Sequence, residues 1–514
     1  MMEKTARTLY EECEKSRWSY LDRGRTASKL TLPYILTEEG FGSHSRLETP
    51  FQGVGARGVN NLASKLLLAL LPPNAPFFRL NVDKYKLSEE GAPPELINEI
   101  ERSLQQIEDA VMDEVSREAY RVGLHEAIKH LIITGNALVY LPDEGGMRVF
   151  HLDRYVINRD PMGNVLHIVT KETISYMALS EEMKEAVGVD KAGHKSEQCN
   201  LFTAVCRYGD KWHVYQDING VRLNTEGTYD LDKCPYIPLR FSRIDGEDYG
   251  RGYVEEYLGD LQSLEKLTQA IVEGSAAASK VLFLVNPNGT TRARSLAESP
   301  NGGITQGNAQ DVSVLQLDKF NDFRVAQETI NTIKDRLGHA FLLTSGVVRN
   351  AERVTAEEIR MLSQELEASL GGLYSLLSTE LQMPMVKRLM TIMSDNKSLP
   401  KLPEEVVQPV IITGVEALGR GNDLQKLDMF LGGATQIIGP ESIYQYLNVQ
   451  EYFKRRATAL GIRTDNLIKT EEQLMAEKQE MQAAQVMESV GPAGVKAGAD
   501  MMMQQQQGSE VQNG

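Results

Sequence analysis

Two stretches of this chain carry the same kind of apolar seam, and the segment between them cannot be helical. Leu258, Leu261, Leu264, Leu267 and Ile271 line one helical face, and the run closes on GSAAASK, Gly274 to Lys280. Phe323, Ala326, Ile330, Ile333, Leu337 and Ala340 step by 3, 4, 3, 4 and 3, a stripe suited to packing beside another helix. Between them, Val281 to Phe320 holds Pro287, Pro300, four glycines and two β-like patches, VLFLV and VSVLQL. That composition breaks a helix, so the pattern predicts a small excursion held between two helices of similar length. The small residues of GSAAASK permit close neighbours.

The loop TSGVVRNAERV, Thr344 to Val354, leads to Thr355 and Glu358, a T-x-x-E capping box that opens a third long helix. Ile359, Leu362, Leu366, Leu370, Leu373 and Leu377 share one face of it, Gly371-Gly372 should bend it, and Pro384 should bend it again. A Pro-rich return near LPKLPEEVVQP precedes further helices to about Gln482. The tail MMMQQQQGSEVQNG and its Gly/Ala-rich approach cannot build a core and are expected to be disordered.

The N-terminal half reads as α+β. Leu96, Ile97, Ile100, Leu104, Ile107, Val111 and Val115 give a long amphipathic helix from Pro94 to about Tyr120, and a second helix follows through His130. Then the period shortens: NALVYLP, MRVFHL, RYVINRD and NVLHIVT are β-rich runs separated by turn clusters such as Asp160-Pro161-Met162-Gly163. LFTAVCRY and KWHVYQ are joined at Gly209-Asp210, a two-residue turn whose glycine supplies the positive φ such hairpins need.

The chemical motifs dissolve on inspection. Gly53, Gly55 and Gly58 match G-x-G-x-x-G, but the preceding SHSRLETPFQ has no β-branched run to deliver a dinucleotide loop. Thr49-Pro50 instead reads as an N-cap and first helical position, which puts the glycines inside the first turns of a helix where two helices pack closely. His125, Glu126 and His130 resemble a zincin motif, yet H-E-x-x-x-H sets the histidines ~140° apart around a helix instead of on one face. No Walker loop and no G-x-S-x-G occurs, and the pairs Glu255-Glu256 and Glu357-Glu358 read as a solvated face and a favourable helix N-terminus. Neither catalysis, nor a cofactor, nor a metal is expected.

Charge bounds the partners. With 55 Lys plus Arg against 71 Asp plus Glu, the formal charge is −16 over 514 residues, which argues against tight gripping of nucleic acid while leaving DNA free to pass. The segment Lys280 to Val354 departs from this, with nine basic residues against seven acidic ones. The cysteines Cys13, Cys199, Cys206 and Cys234 form no C-x-x-C pair, which suits a reducing cytosol. The longest apolar run, Leu66 to Leu71, is far short of the ~20 residues a bilayer needs, and MMEKTARTLYEECEK is no signal peptide.

Four blocks carry a resemblance: TPFQGVGARGVNNLASKLLLAL, YGRGYVEEYLGDLQSLEKL from Tyr249, SKVLFLVNP, and ERVTAEEIRMLSQELEASLGGLYSLLSTELQMP from Glu352. Over most of residues 45 to 420 the chain resembles the portal, or head-to-tail connector, proteins of short-tailed, autographivirus-type bacteriophages. The resemblance implies a phage portal fold: an α+β wing, a two-helix stem, a small clip, a long kinked helix and a helical crown, assembled as a twelve-subunit ring at one capsid vertex. On this chain the implied regions are an N-terminal region and wing over 1–252, stem helices over 253–280 and 321–343, a clip over 281–320 and a tunnel loop over 344–354. The long kinked helix and wing return would occupy 355–435, the crown 436–482 and the tail 483–514.

The implied function is a virion channel, assembled in the host bacterial cytoplasm, through which double-stranded DNA is packaged and ejected. The implied partners are the terminase large subunit, major capsid and scaffold proteins, a tail adaptor and internal core proteins, with no membrane. Arg349, Arg353, Lys334 and Arg336 would face the channel, and Arg292, Arg294 and Lys319 would belong to the clip that docks terminase and later the tail. A mostly acidic channel with a few basic rings would guide the duplex without holding it, since many fixed phosphate contacts would bind DNA too tightly to let it move. The alternative reading of the same seams is a cytosolic helical scaffold without a DNA channel.

Overall fold

The computed structural model describes residues 4–343 apart from short stretches, the longest being 83–93 and 185–197, together with parts of 366–396, residues 407–411 and 429–436, and a few positions between 439 and 453. The chain divides into two compact units, residues 1–417 and 418–514. In the second, a helical segment covers 429–436; all elements named below belong to the first.

Helix α1 (Ala6–Leu30) is capped by Thr5, whose Oγ1 accepts from the Thr8 amide at 3.2 Å. It lies on an antiparallel sheet of β4 (Tyr155–Arg159), β5 (Val165–Ser175), β6 (Gln198–Tyr208), β7 (Lys211–Ile218) and β8 (Val221–Arg222), in that order, with β9 (Gly227–Asp230) also pairing β7. Ala6, Leu9 and Tyr10 bury against Val156, Val169, Phe202 and Ala204. Arg17 is buried in the same interface, its Nη1 donating to the carbonyls of Leu152 at 3.1 Å and Tyr155 at 2.7 Å and its Nη2 to the Glu14 carboxylate at 3.2 Å, so the buried cation is held by backbone and one acid. The two predicted hairpin turns are present: Gly163 and Gly209 take φ of +85° and +58° between β4 and β5 and between β6 and β7.

A second layer holds β2 (Asn136–Tyr140) between β3 (Arg148–Phe150) and β10 (Tyr236–Arg240), while β1 (Phe78–Val82) pairs with β13 (Val407–Ile411) across most of the unit's length. Around them pack α2 (Val54–Leu70), α3 (Pro94–Arg117) and α4 (Tyr120–Thr134), whose apolar faces form the largest core with Leu62, Leu66, Val111, Ile128 and Ile132 at its centre. Helix α4 runs four residues past the predicted His130 and stops where Gly135 turns left-handed, φ +77°, its amide bonded to the Leu131 carbonyl at 2.9 Å.

Beyond Gly252 come α5 (Tyr253–Glu256) and α6 (Leu258–Ala278), then β11 (Leu282–Val285), α7 (Ala293–Ala297), β12 (Val312–Leu315) and α8 (Phe320–Ala340). The expected first stem helix over 253–280 is interrupted at Tyr257, whereas the seam from Leu258 lies unbroken in α6, whose 21 residues span ~32 Å. At the far end, α9 (Leu373–Leu377) passes through a π-helical turn, Ser378–Gln382, into α10 (Met383–Asp395). Pro384 sits in the first turn of α10, where its missing N–H matters least, so the predicted interruption appears as a widened turn just before the proline. The capping box at Thr355, most of the third helix, nearly all of the crown and the whole tail lie outside the described residues.

Candidate functional site

The glycine helix α2 is tied to both seam helices, to α6 through the residues just before its start and to α8 through side chains in its middle. At its N-terminus, the Glu265 carboxylate on α6 accepts from the amides of Phe51 at 2.8 Å and Gln52 at 3.1 Å, and the Gln52 Oε1 accepts from Gly55 at 2.9 Å. The bond to Gly55 satisfies a donor that a helix start leaves orphaned, and Glu265 pins the two residues that precede the cap. The helix therefore begins at Val54, with Gly53 as its cap residue, not at Thr49-Pro50 as the local sequence suggests. The reading as packing residues holds for Gly55 and Gly58 but not for Gly53: a Cβ on Gly55 would meet the Leu30 carbonyl oxygen at 2.6 Å and one on Gly58 the Phe341 ring at 2.6 Å, whereas nothing lies within 4 Å of one on Gly53.

At the other side, α2 receives the end of α8. Leu342 takes φ +54°, and the last carbonyls are covered by side chains from α2. Asn61 Nδ2 donates to the Phe341 and Leu342 oxygens, both at 3.0 Å, and Lys65 Nζ donates to Leu342 at 3.1 Å. A cation at a helix C-terminus also meets the negative end of its dipole. Tyr253 closes the junction, its hydroxyl donating to the Ala340 carbonyl at 2.9 Å and its ring edge-on to Phe341; burial and the neighbouring Tyr257 hydroxyl push its phenol pKa up.

The stem root is fixed to the wing by close backbone contact. Asn136 Nδ2 donates to the Gly250 carbonyl and the Gly250 amide donates to Asn136 Oδ1, both at 2.7 Å. A Cβ on Gly252 would lie 2.4 Å from the Ile133 oxygen, and one on Gly135 would lie 2.3 Å from the Arg251 carbonyl carbon. The glycines of YGRGYV thus mark where the stem crosses the end of α4.

Along the stem, Leu261 and Leu264 bury against Ile330, Ile333 and Leu337, as the two seams predict. Gly274 faces α8 of the same chain, because the Phe323 ring occupies the space where its Cβ would be, at 2.8 Å. Ser275, Ala276 and Ala277 are exposed.

The excursion is stapled by one carboxylate that sequence reading missed. Asp311 Oδ2 accepts from the amides of Thr290 at 2.8 Å and Thr291 at 3.1 Å and from both hydroxyls, and these bonds, the Thr291 amide first, hold its pKa below the usual carboxylate range. Its local signal was the T-T pair facing an N-x-x-D turn at Asn308 to Asp311, legible only once β11 and β12 are paired. At the tip, Ile304 is fully exposed, also unremarked in the sequence.

The predicted site residues separate. Lys334 and Arg336 are both exposed but stand two residues apart, ~200° around α8, on opposite flanks of its buried seam, so they do not share one face. Arg336 is paired across the stem with Asp260 at 2.8 Å, and Arg294 is paired with Glu298 at 2.8 Å within α7. Arg292 is exposed at the start of α7. Arg349, Arg353 and Lys319 lie outside the described residues. No helix among the described residues is long and apolar enough to cross a membrane.

The family description "Bacteriophage head to tail connecting protein" matches residues 3–468. The portal protein of Escherichia phage T7 is 40% identical over 95% of this chain and 92% of its own length, and that of Enterobacteria phage T3 is 39% identical over 100% and 97%. The portal protein of Enterobacteria phage SP6 is 32% identical over 82% and 81%. A solved chain from the virion of a native gene transfer agent particle overlaps at TM-score 0.35 with 12% identity, covering 80% of this chain and 90% of its own, an overlap too low to support an inference. The chain belongs to the family of bacteriophage head to tail connecting proteins.

Proposed function

We propose that this protein is a phage portal: a ring-forming structural protein, not an enzyme, that makes the DNA channel at one capsid vertex. The observation that carries the reading is similarity over nearly full length to proteins named portal protein in several phages. The fold supports it, because a pair of helices rooted in the wing and carrying a self-stapled excursion is what a stem and clip require. In this reading α6 and α8 are the stem, 281–320 is the clip, and Arg349 and Arg353 border the channel. Twelve copies would close the ring, and terminase, capsid, scaffold, tail adaptor and internal core proteins would be its partners. A net charge of −16 suits a conduit that touches the duplex lightly, because each phosphate neutralised by a fixed cation strengthens retention and slows passage. Assembly would take place in the host cytoplasm, and the finished ring would stay in the virion.

Negative-stain electron microscopy of the purified protein, with class averaging for rotational symmetry, tests this. Closed rings with a central hole as wide as a DNA duplex are expected. Rods or small elongated oligomers would replace the portal reading with that of a helical scaffold.

A further inference from the structure

Three side chains that no part of the channel reading uses converge beside the wing core. Glu126 and His130 are four residues apart on α4 and so share a face, unlike the histidine pair of H-E-x-x-x-H. His151 arrives from just after β3, and its ring meets that of His130 edge-on with centroids 4.5 Å apart. One ligand atom from each of Glu126, His130 and His151 lies within 4.8 Å of the other two.

The hydrogen bonding leaves lone pairs pointing at this gap. His151 Nδ1 is 2.9 Å from the Ile35 carbonyl oxygen, which only accepts, so Nδ1 carries the proton and Nε2 of the neutral ring is left with its lone pair. A backbone carbonyl that fixes the tautomer of an imidazole is the usual outer partner of a metal-bound histidine. His130 is wholly buried, and neither of its ring nitrogens has a partner among the described residues. A buried imidazole without a partner is uncommon enough to require an explanation. Glu126 is exposed, which gives a path from solvent and one negative charge to offset that of a cation.

We propose that Glu126, His130 and His151 form a binding site for a divalent transition ion, with Zn2+ as the ion that two imidazoles and one carboxylate suit best. Bonds of ~2.0–2.2 Å put tetrahedral donors roughly 3.4 Å apart, so side-chain rotations that draw the three donors inward complete the site and leave a fourth position for water. The ion clips α4 to the turn after β3, and through the His151–Ile35 bond to the segment that follows α1. Its role is structural, since the site joins α4 to the turn after β3.

The test uses tag-free full-length protein, treated with chelator and titrated with Co2+, whose visible spectrum reports coordination, followed by displacement with Zn2+ and elemental analysis. One ion per chain is expected, together with a higher Tm in Zn2+. Glu126→Gln and His151→Gln, at exposed and half-buried positions, should each weaken binding by about tenfold or more, while His339→Gln, an exposed histidine on α8, should leave it unchanged. Substoichiometric binding by the wild-type chain, or full binding retained in a folded Glu126→Gln/His151→Gln double variant, overturns the proposal. X-ray absorption on the Zn2+-loaded wild-type protein decides independently of any variant: two imidazoles are expected, and one or none overturns it.

Discussion

The stem root and the clip are both held by hydrogen bonds to a few side chains, but they recruit those side chains from opposite distances. At the root, Asn61 and Lys65 reach carbonyls 277 to 281 residues away, and Glu265 holds the Phe51 and Gln52 amides 213 to 214 residues away. In the clip, Asp311 binds partners only 20 and 21 residues away, and the Arg294–Glu298 pair spans four. The root is a junction where wing, stem and α2 define one another, so that no part of it forms alone. The clip is a self-contained knot whose surface is nearly all exposed, so its outer side chains are free to be chosen by what they touch.

Matched substitutions at two left-handed glycines break the comparison most severely. Gly135→Ala places a Cβ against the Arg251 backbone at φ +77°, where neither strand nor stem can retreat. Strain and overpacking together should cost about 3–5 kcal/mol, seen as insoluble expression or a large fall in Tm. Gly302→Ala in the clip has the same kind of backbone, φ +81°, but nothing within 4 Å. It should cost only the conformational term, about 1–2 kcal/mol, and a Tm loss as large as that of Gly135→Ala would show that the clip is not autonomous.

Asn61→Ala is the intermediate case. It leaves the Phe341 and Leu342 carbonyls at the end of α8 one donor short, although Lys65 still reaches Leu342. A loss of about 1–3 kcal/mol is expected, measured by urea unfolding, with hydrogen exchange rising first at the end of α8. Equal exchange along the whole helix would mean that α2 stabilises the stem generally and not at its terminus.

These contrasts explain which parts of the molecule were legible in the sequence. The seams of α6 and α8, the long helix α3 and the hairpin at Gly209 are written in periods and turns shorter than a dozen residues, and they appear in the fold with small shifts at their ends. The start of α2 was misplaced because the two residues before its cap are pinned by a carboxylate from another helix, which no window around Thr49 contains. Helix α1 buries an arginine on its sheet-facing side, so its pattern does not announce a core helix. The basic residues of the stem could be counted but not oriented, since which flank Arg336 occupies is settled by Asp260 across the stem. His151 entered no motif because its neighbours come from a different element.

The clip knot should respond to acid in a defined direction. The Asp311 pKa is depressed in the folded chain, so the stabilisation it gives is present above the ordinary carboxylate value and is lost as pH falls through its lowered one. Hydrogen exchange at Thr290 and Thr291 should therefore stay slow, relative to the intrinsic rate, below the pH at which free aspartate protonates, and Asp311→Asn should abolish that window while leaving the root protected. If acid opens the root at the same pH, the two regions share one cooperative unit.

The smallest stability effects belong to the clip surface, and they sharpen the comparison because function and fold separate there. The Arg294 side chain is 90% exposed and its ion pair with Glu298 is screened by water, so Arg294→Ala should leave Tm unchanged. Ile304 is fully exposed and supports nothing beneath it, so Ile304→Asp should also be silent in unfolding. An exposed apolar residue at the tip of a self-supporting knot costs the fold nothing and gives a docking partner an anchor, whereas an exposed ion pair contributes mainly to encounter. In a DNA packaging assay with intact rings, Ile304→Asp should therefore reduce packaging more than Arg294→Ala, and the deficit of Arg294→Ala alone should shrink as salt screens the wild-type charge. Equal, salt-independent packaging by both variants would remove the tip of the clip from the docking surface.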